Sequence, residues 1–409
     1  MGSNPAVLTL TCLRTRLRAG FFMIANALLR AAHQLRATGG DYIDLSDTSF
    51  HRNSLRFPDD LLARYFADYL KTRSYDPDPR GLPAARDAIA AYVRSRAIAC
   101  DASDVLLTAS TSDAYSVIFQ ALLRAGDRVL LPRPCYPLFE YLCRYARLRM
   151  DYYDLDPDTG FAPDLVGLRR KLARPAAALV TISPNNPTGA CLSSRDWQEM
   201  QSICAEHDLI MISDEVFDDL TWEEETQRVP ERSPDSAPIM LRLGGVSKLF
   251  ASPDLKLSWI ALTQAAPDAR ARVLDALETC RDMYLNSSGP AEYLGARMLR
   301  DGVTYRTDLR NAVHARKLLC DRLLSACTSH APGLRIYPQQ GGIHRVIRLP
   351  CGYDDEATAL RLLDETRVLV HPGYMYGFPE GAYWVMTCLP EESVLKNAIP
   401  RLVNFLESL

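Results

Sequence analysis

An α/β fold is predicted, with a three-layer α/β/α large domain built on a mostly parallel sheet and a smaller α+β domain after it. Three observations predict it. Between about residues 85 and 265, short β-branched and apolar runs alternate with helical patterns, the rhythm of a sheet covered on both faces. The segments richest in polar chemistry fall just after those runs, where open α/β sheets bind ligands. Past residue 291 a long amphipathic pattern leads into shorter elements with a different spacing.

The predicted strands of the large domain are Val105–Thr108, Val129–Pro132, Ala178–Ile182, Leu209–Ile212, Ile239–Arg242 and Trp259–Leu262. Helical periodicity fills 112–124, 137–147, 163–173 and 194–207 between them. The amphipathic pattern of 291–327 precedes Ile336-Tyr337, a strand in Gly341–Arg348, a helix near 354–366, Val368–Val370 and a closing helix over 391–408. At the other end a helix is predicted over 23–37, with Leu28, Leu29, Ala32 and Leu35 on one face and Gly39-Gly40 as its stop. The first 40 residues hold five arginines and no acid, a bias shared with targeting leaders. The apolar run Phe21–Ala25 is too short to cross a membrane, so a helix is the expectation. The expected division is 1–60 as a segment packing with the small domain, 61–295 as the large domain and 296–409 as the small one.

Composition narrows the function classes. With 409 residues, 47% hydrophobic and 24% charged, the chain has the profile of a soluble globular protein. A net charge of -3, with basic residues dispersed, argues against nucleic acid or an anionic membrane as partner. The 11 cysteines are scattered without a Cys-x-x-Cys pair, a pattern that suits free thiols in a cytoplasmic protein. The 7 histidines show no metal-ligand spacing, and no metal is expected.

Three motifs carry the chemistry. Lys248 ends Gly244-Gly245-Val246-Ser247-Lys248, Asn186 lies in Ser183-Pro184-Asn185-Asn186-Pro187-Thr188-Gly189, and Asp214 lies in Ile210-Met211-Ile212-Ser213-Asp214-Glu215. Taken singly they read as a surface lysine, a turn amide and a strand-end cap. Upstream, Thr108-Ala109-Ser110-Thr111-Ser112-Asp113-Ala114 joins a strand to a helix, so its N–H groups and hydroxyls suit an anion as well as an ordinary cap. Tyr136 follows a strand in Pro134-Cys135-Tyr136-Pro137, and Tyr75 opens a proline-rich turn, Tyr75–Pro83.

In this order, with 28 residues from 186 to 214 and 34 from 214 to 248, the motifs resemble those of the class I/II aminotransferases, pyridoxal-phosphate (PLP) enzymes of fold type I. The resemblance covers roughly residues 75 to 262. It implies pyridoxal 5'-phosphate as cofactor and Lys248 as the Schiff-base lysine, which also moves a proton at the substrate α-carbon. It makes Asp214 the partner that keeps the ring nitrogen protonated, because a nearby opposite charge favours the charged form. Asn186 becomes the donor to the ring oxygen, Tyr136 the ring's stacking partner, and Ser110, Thr111, Ser247 and Lys256 the phosphate anchors. Tyr75 is implied to reach the phosphate of a neighbouring subunit, which makes the enzyme a homodimer with shared active sites. The substrates implied are an amino acid and a 2-oxo acid.

The chain departs from the family pattern at four places. Phe217, three residues after Asp214, replaces a usual tyrosine that donates to the ring oxygen. Lys256, eight residues after Lys248, replaces an arginine, keeping the charge but losing the bidentate fork. Gly245 stands where a phosphate-binding serine is common. The arginine expected to grip the substrate carboxylate aligns with Val385 or its neighbours, and no arginine lies between 368 and 400. Arg345, His344 and Tyr374 are therefore the substrate-binding candidates. Phe217, Lys256 and the missing carboxylate arginine motivate one alternative, a PLP-dependent lyase or synthase carrying out elimination, replacement or a carbon-carbon or ring-forming step. The other, a non-catalytic binding protein on the same scaffold, has the intact Lys248 and Asp214 against it.

Overall fold

The computed structural model describes residues 26–75, 77–222, 238–285, 287–328 and 331–409. The strands are numbered in chain order: β1 Ile43–Asp44, β2 Val105–Thr108, β3 Arg128–Arg133, β4 Arg149–Asp156, β5 Ala162–Pro163, β6 Ala178–Ile182, β7 Ile210–Asp214, β8 Met240–Gly245, β9 Ser258–Gln264, β10 Arg335–Ile336, β11 His344–Arg348, β12 Val368–Leu369, β13 His371–Pro372 and β14 Tyr383–Thr387. Eight of them form one sheet in the order β2-β9-β8-β7-β6-β3-β4-β5. The ladders β8-β7, β7-β6, β6-β3 and β3-β4 are parallel, whereas β9 is antiparallel to both neighbours.

Strands β2, β6 and β8 are buried along their whole length, as continuous apolar strands between helix layers must be. On one face, Val117, Ile118 and Phe119 of helix Thr111–Leu122 pack with Val129, Val180 and Ile260. On the other, Trp197, Met200 and Ile203 of helix Ser194–Glu206 pack with Leu130, Leu179 and Met211. Three layers result, as the alternation predicted.

Beyond the sheet, the amphipathic pattern of 291–327 is two helices, Gly289–Asp301 and Val303–Leu324, separated at Gly302. An antiparallel sheet of order β10-β11-β14-β13 follows, covered by helices Asp355–Thr366 and Glu392–Glu407. Helix Ala27–Ala37, capped by Asn26, belongs to this second body: Leu28 and Ala32 are buried with Leu362, Ile399 and Leu402. Strand β1 pairs in parallel with β12, Ile43 opposite Val368. The arginine-rich start and Phe21–Ala25 lie outside the described residues. Among the described residues, no helix is long and apolar enough to cross a membrane.

Candidate active site

The sheet order decides which motifs meet. Strands β3, β6, β7 and β8 run parallel, and β2, two antiparallel steps from β8, points the same way, so all five carboxyl ends share one edge. Ser110 and Thr111 after β2, Tyr136 after β3, Asn186 after β6, Asp214 ending β7, and Ser247 and Lys248 after β8 therefore converge there. Lys256 joins them through the β8–β9 turn. Gly245 is paired with Ser258 and the Val246 N–H donates to the Leu257 carbonyl at 3.1 Å, which sets Lys256 beside Ser247. Lys256 is exposed and in the left-handed region, φ 55°. A Cβ at Gly245 would lie 2.4 Å from Ser258 Oγ and 3.2 Å from the Leu257 carbonyl oxygen, so a serine at this position would require the Ser258 hydroxyl to turn away.

Lys248 sits in the short helix Val246–Leu249, its amine 5.3 Å from the ring centre of Phe50 and 5.7 Å from that of Phe217. Burial alone pushes its pKa down to about 8, because an ammonium loses solvation there. Asp214 moves the other way. Burial raises its carboxyl to about 6, against the opposing pull of the Val216 N–H and the Tyr115 hydroxyl, each 3.1 Å from a carboxylate oxygen. Tyr136 lies near enough that the Asp214 charge adds to the burial that raises its phenol. An amine that gives up its proton readily and a carboxylate buried at a strand end are the pair that proton-transfer chemistry needs.

Asn186 is held by its neighbours. The Asn185 side chain accepts from the Thr188 N–H at 3.2 Å and from its hydroxyl at 2.8 Å, closing the loop on itself. Gly189, at φ 70°, packs so closely that a Cβ would lie 2.7 Å from the Gly341 carbonyl, and the Gly341 N–H donates to Gly189 O at 2.8 Å. The loop is thus clamped to the segment leading into β11. At its tip the Asn186 amide keeps a buried terminal atom, Oδ1, with no hydrogen-bond partner.

The substrate-side candidates separate. His344, buried, faces the site: its ring meets Phe217 edge-on at 6.3 Å and Tyr376 at 6.4 Å. Burial, then the nearby Lys248, then His371, push it down to about 3, so it is a neutral imidazole at ordinary pH. Arg345 is the next residue of β11, and strand alternation turns it to the opposite face. There it pairs with Asp321 and donates to the Tyr337 carbonyl at 3.0 Å, lining a cavity of about 400 Å³ with Leu324 and Ile336. Arg345, expected from the sequence to bind substrate, is thus placed on the face of β11 opposite His344. Tyr374 is also turned away, its hydroxyl 3.1 Å from Glu356. Two residues on, Tyr376 takes the inward place, its hydroxyl 3.0 Å from His371 Nδ1 and its carbonyl accepting the Cys135 N–H at 3.0 Å beside Tyr136. Val385 is buried among apolar and aromatic side chains that include Tyr376. Tyr75, 85% exposed, does not reach this edge within its own chain.

Tyr115, Tyr376 and Phe50 belong to no sequence motif, and each reaches the site through a contact distant in sequence. For Tyr115 one signal existed, a tyrosine one turn into the helix that begins at Thr111, but nothing local separates it from the core residue Phe119 on the same helix. Ser110 caps that helix, its hydroxyl accepting the Asp113 N–H at 3.0 Å, and Thr111 begins it. Among the described residues no cluster of three or more His, Cys, Asp or Glu side chains is arranged to hold a metal.

Known proteins resemble this chain in sequence and in fold. The family model described as aminotransferase class I and II matches residues 64–402. A tyrosine aminotransferase of Dictyostelium discoideum is 25% identical over 364 residues, covering 87% of this chain and 86% of its own. An alanine aminotransferase of Mycobacterium tuberculosis is 29% identical over 314 residues, covering 75% and 72%. The solved structure of an alanine aminotransferase from Pyrococcus furiosus superposes with a TM-score of 0.85 at 23% identity, covering 93% and 96%, a likeness of fold. A match that runs from helix Asp59–Thr72 into the closing helix takes in every strand end of the site, and this chain belongs to the class I and II aminotransferase family.

Proposed function

We propose that the chain moves an amino group from an amino acid to a 2-oxo acid, with pyridoxal 5'-phosphate held at the shared strand edge. The observation that carries the reading is the convergence of Lys248, Asp214 and Asn186 from three adjacent parallel strands. The residues fit the cofactor by their own chemistry. Asp214 presents a buried carboxylate for a ring N–H, and the unpartnered end of the Asn186 amide is what a bound ring oxygen would complete, a half-turn of the amide presenting its NH2. The helix that starts at Thr111, together with Ser247 and Lys256, offers donors and charge for a phosphate.

When bound, the cofactor supplies an aldehyde that condenses with amines and a ring that takes up electrons from the substrate α-carbon. The chain's residues do the rest. Lys248, whose amine is neutral in a useful fraction near pH 8, takes the α-proton and returns it. Asp214 stays ionised above about pH 6 and holds the ring proton. Tyr136 would stack against the ring, Phe217 would offer its oxygen no donor, and His344 with Tyr376 would present neutral polar atoms to the substrate.

A homodimer completed by Tyr75 and a cytoplasmic location belong to the same proposal, supported by the exposure of Tyr75 and by the free state of the ten described cysteines. The packing of the N-terminal segment with the small domain is proposed with it, supported by the pairing of β1 with β12. A division at 295 would cut helix Gly289–Asp301 and is drawn instead at Gly302, between that helix and Val303–Leu324. Incubating reconstituted enzyme with a panel of amino acids tests the reaction. Conversion of the cofactor to its amine form with release of a 2-oxo acid is expected. Release of ammonia or a small leaving group, with the cofactor unchanged, would establish the lyase alternative instead.

A further inference from the structure

We propose that Tyr115 is a positioning residue for Asp214, its hydroxyl fixing the carboxylate in one orientation and favouring its ionised form toward the ring nitrogen. The proposal rests on the reading of Asp214 as the ring's partner given above. The phenol donates to Asp214 Oδ2 at 3.1 Å, a side-chain contact between buried groups 99 residues apart, while the Val216 N–H donates to Oδ1 at 3.1 Å. Donors from two different elements therefore pin both oxygens. Each oxygen keeps a second lone-pair site, so one remains for a ring N–H.

The tyrosine ring has no freedom to leave. Phe139 packs edge-on against it at 4.9 Å and Phe119 lies at 5.8 Å, and the residue is 3% exposed. Its own proton is secure, since burial and then the Asp214 charge hold the phenol far above its ordinary range. A hydrogen bond to the charged form of an acid favours that form, and here it opposes the burial that otherwise drives Asp214 toward neutrality. The other titratable groups facing Asp214 are Tyr136, from the loop after β3, and Glu215, whose charge is answered by Arg96 and Arg242. Neither donates to the carboxylate.

Placement gives the device its logic. The helix that begins at the phosphate turn, Thr111, carries Tyr115 one turn further on, so a single rigid element would set both the phosphate end and the nitrogen end of the cofactor.

The test compares native holoenzyme with Tyr115→Phe, which keeps the ring packing, and with 3-fluorotyrosine at 115, a stronger donor of the same shape. Borohydride trapping with peptide mapping is read first and is expected to label Lys248 in all three. In Tyr115→Phe, the acid-side midpoint of kcat/KM and the pH titration of cofactor absorbance move upward by roughly half to one pH unit, with kcat down about tenfold. Fluorotyrosine moves the same midpoints downward. Superimposed titrations in all three proteins would overturn the role of Tyr115, whatever happens to Tm, while leaving the cofactor reading intact. Failure of the native protein to trap at Lys248 would overturn that reading and this inference together.

Discussion

At the scale of residues, Lys248 and Asp214 are set by opposite consequences of one cause. Burial discourages charge, so the lysine falls to about 8 and the aspartate rises to about 6. For the lysine, the folded state binds its proton less tightly than the unfolded chain. The penalty is therefore complete below pH 8 and fades as pH rises toward 10.5. Replacing Lys248 by Met is expected to stabilise the cofactor-free protein at pH 7 by about 2 kcal/mol, after allowance for partial exposure of the side chain. Above about pH 10.5 the advantage should vanish, and thermal melts across pH check both statements. Turnover of the reconstituted variant should fall by at least about 10³-fold. Phe217→Tyr makes a separate prediction. A phenol placed near Lys248 donates to the ring oxygen and favours its negative form, so the midpoint of the cofactor's absorbance titration should move to lower pH. Coincident curves for native and variant would dismiss it.

At the scale of elements, strand ends are held by a buried ionic cluster just behind the site. Glu215, following β7, accepts from Arg242 of β8 and pairs with Arg96 at 3.2 Å, while Arg96 also meets Asp218 and Arg242 lies 4.9 Å from the Trp197 ring. Burial pushes Glu215 up, but Arg242 and Arg96 more than offset it and hold the carboxyl below its ordinary value. Its stabilising contribution is present above the ordinary carboxylate range, near 4.5, and is lost as pH falls below it. Glu215→Gln should cost about 3 kcal/mol in denaturant unfolding at pH 7, because two buried arginines lose the carboxylate they share, Arg96 keeping Asp218 and Arg242 keeping Thr263, and the difference from native should shrink below pH 4. The strands of the large sheet that were legible in sequence are the ones buried over all or nearly all their length, β2, β3, β6, β7, β8 and β9. Strand β4 was not, since it pairs otherwise only with the two-residue β5, is half exposed and carries polar residues along its length. Gly302, which breaks the long helical pattern, was hidden because both flanking helices keep compatible apolar faces.

At the scale of the whole molecule, the chain's beginning and end close on each other. The β1–β12 pairing and the buried Leu28 and Ala32 tie the N-terminal helix to the C-terminal body, and the same segment delivers Phe50 to Lys248. The Tyr376–Cys135 and Gly341–Gly189 backbone bonds join the two sheets across the site, so their relative position sets its width. If Tyr75 serves a neighbouring subunit, Tyr75→Ala and Lys248→Ala proteins should each be impaired as homodimers. Mixed and refolded together, they should recover up to about a quarter of native activity, because half the dimers are hybrids with one undamaged site. No recovery from hybrids isolated by tag would place Tyr75 outside the site, and sedimentation of the native protein checks the dimer itself.

The alternation of apolar runs with helical patterns determined the fold class, and the order and spacing of Asn186, Asp214 and Lys248, with Ser110, Tyr136 and Tyr75 beside them, pointed to the family. Those features are local, since each motif needs only the strand before it. The tertiary structure alone decided that His344 and not Arg345 faces the site, because β11 is buried on both faces and its pattern carries no polar side from which to read orientation. It decided likewise for Tyr376 over Tyr374, within one tight turn at Gly373–Tyr376, and for Tyr115 at Asp214, since contacts spanning 99 residues are created by packing and leave no local trace.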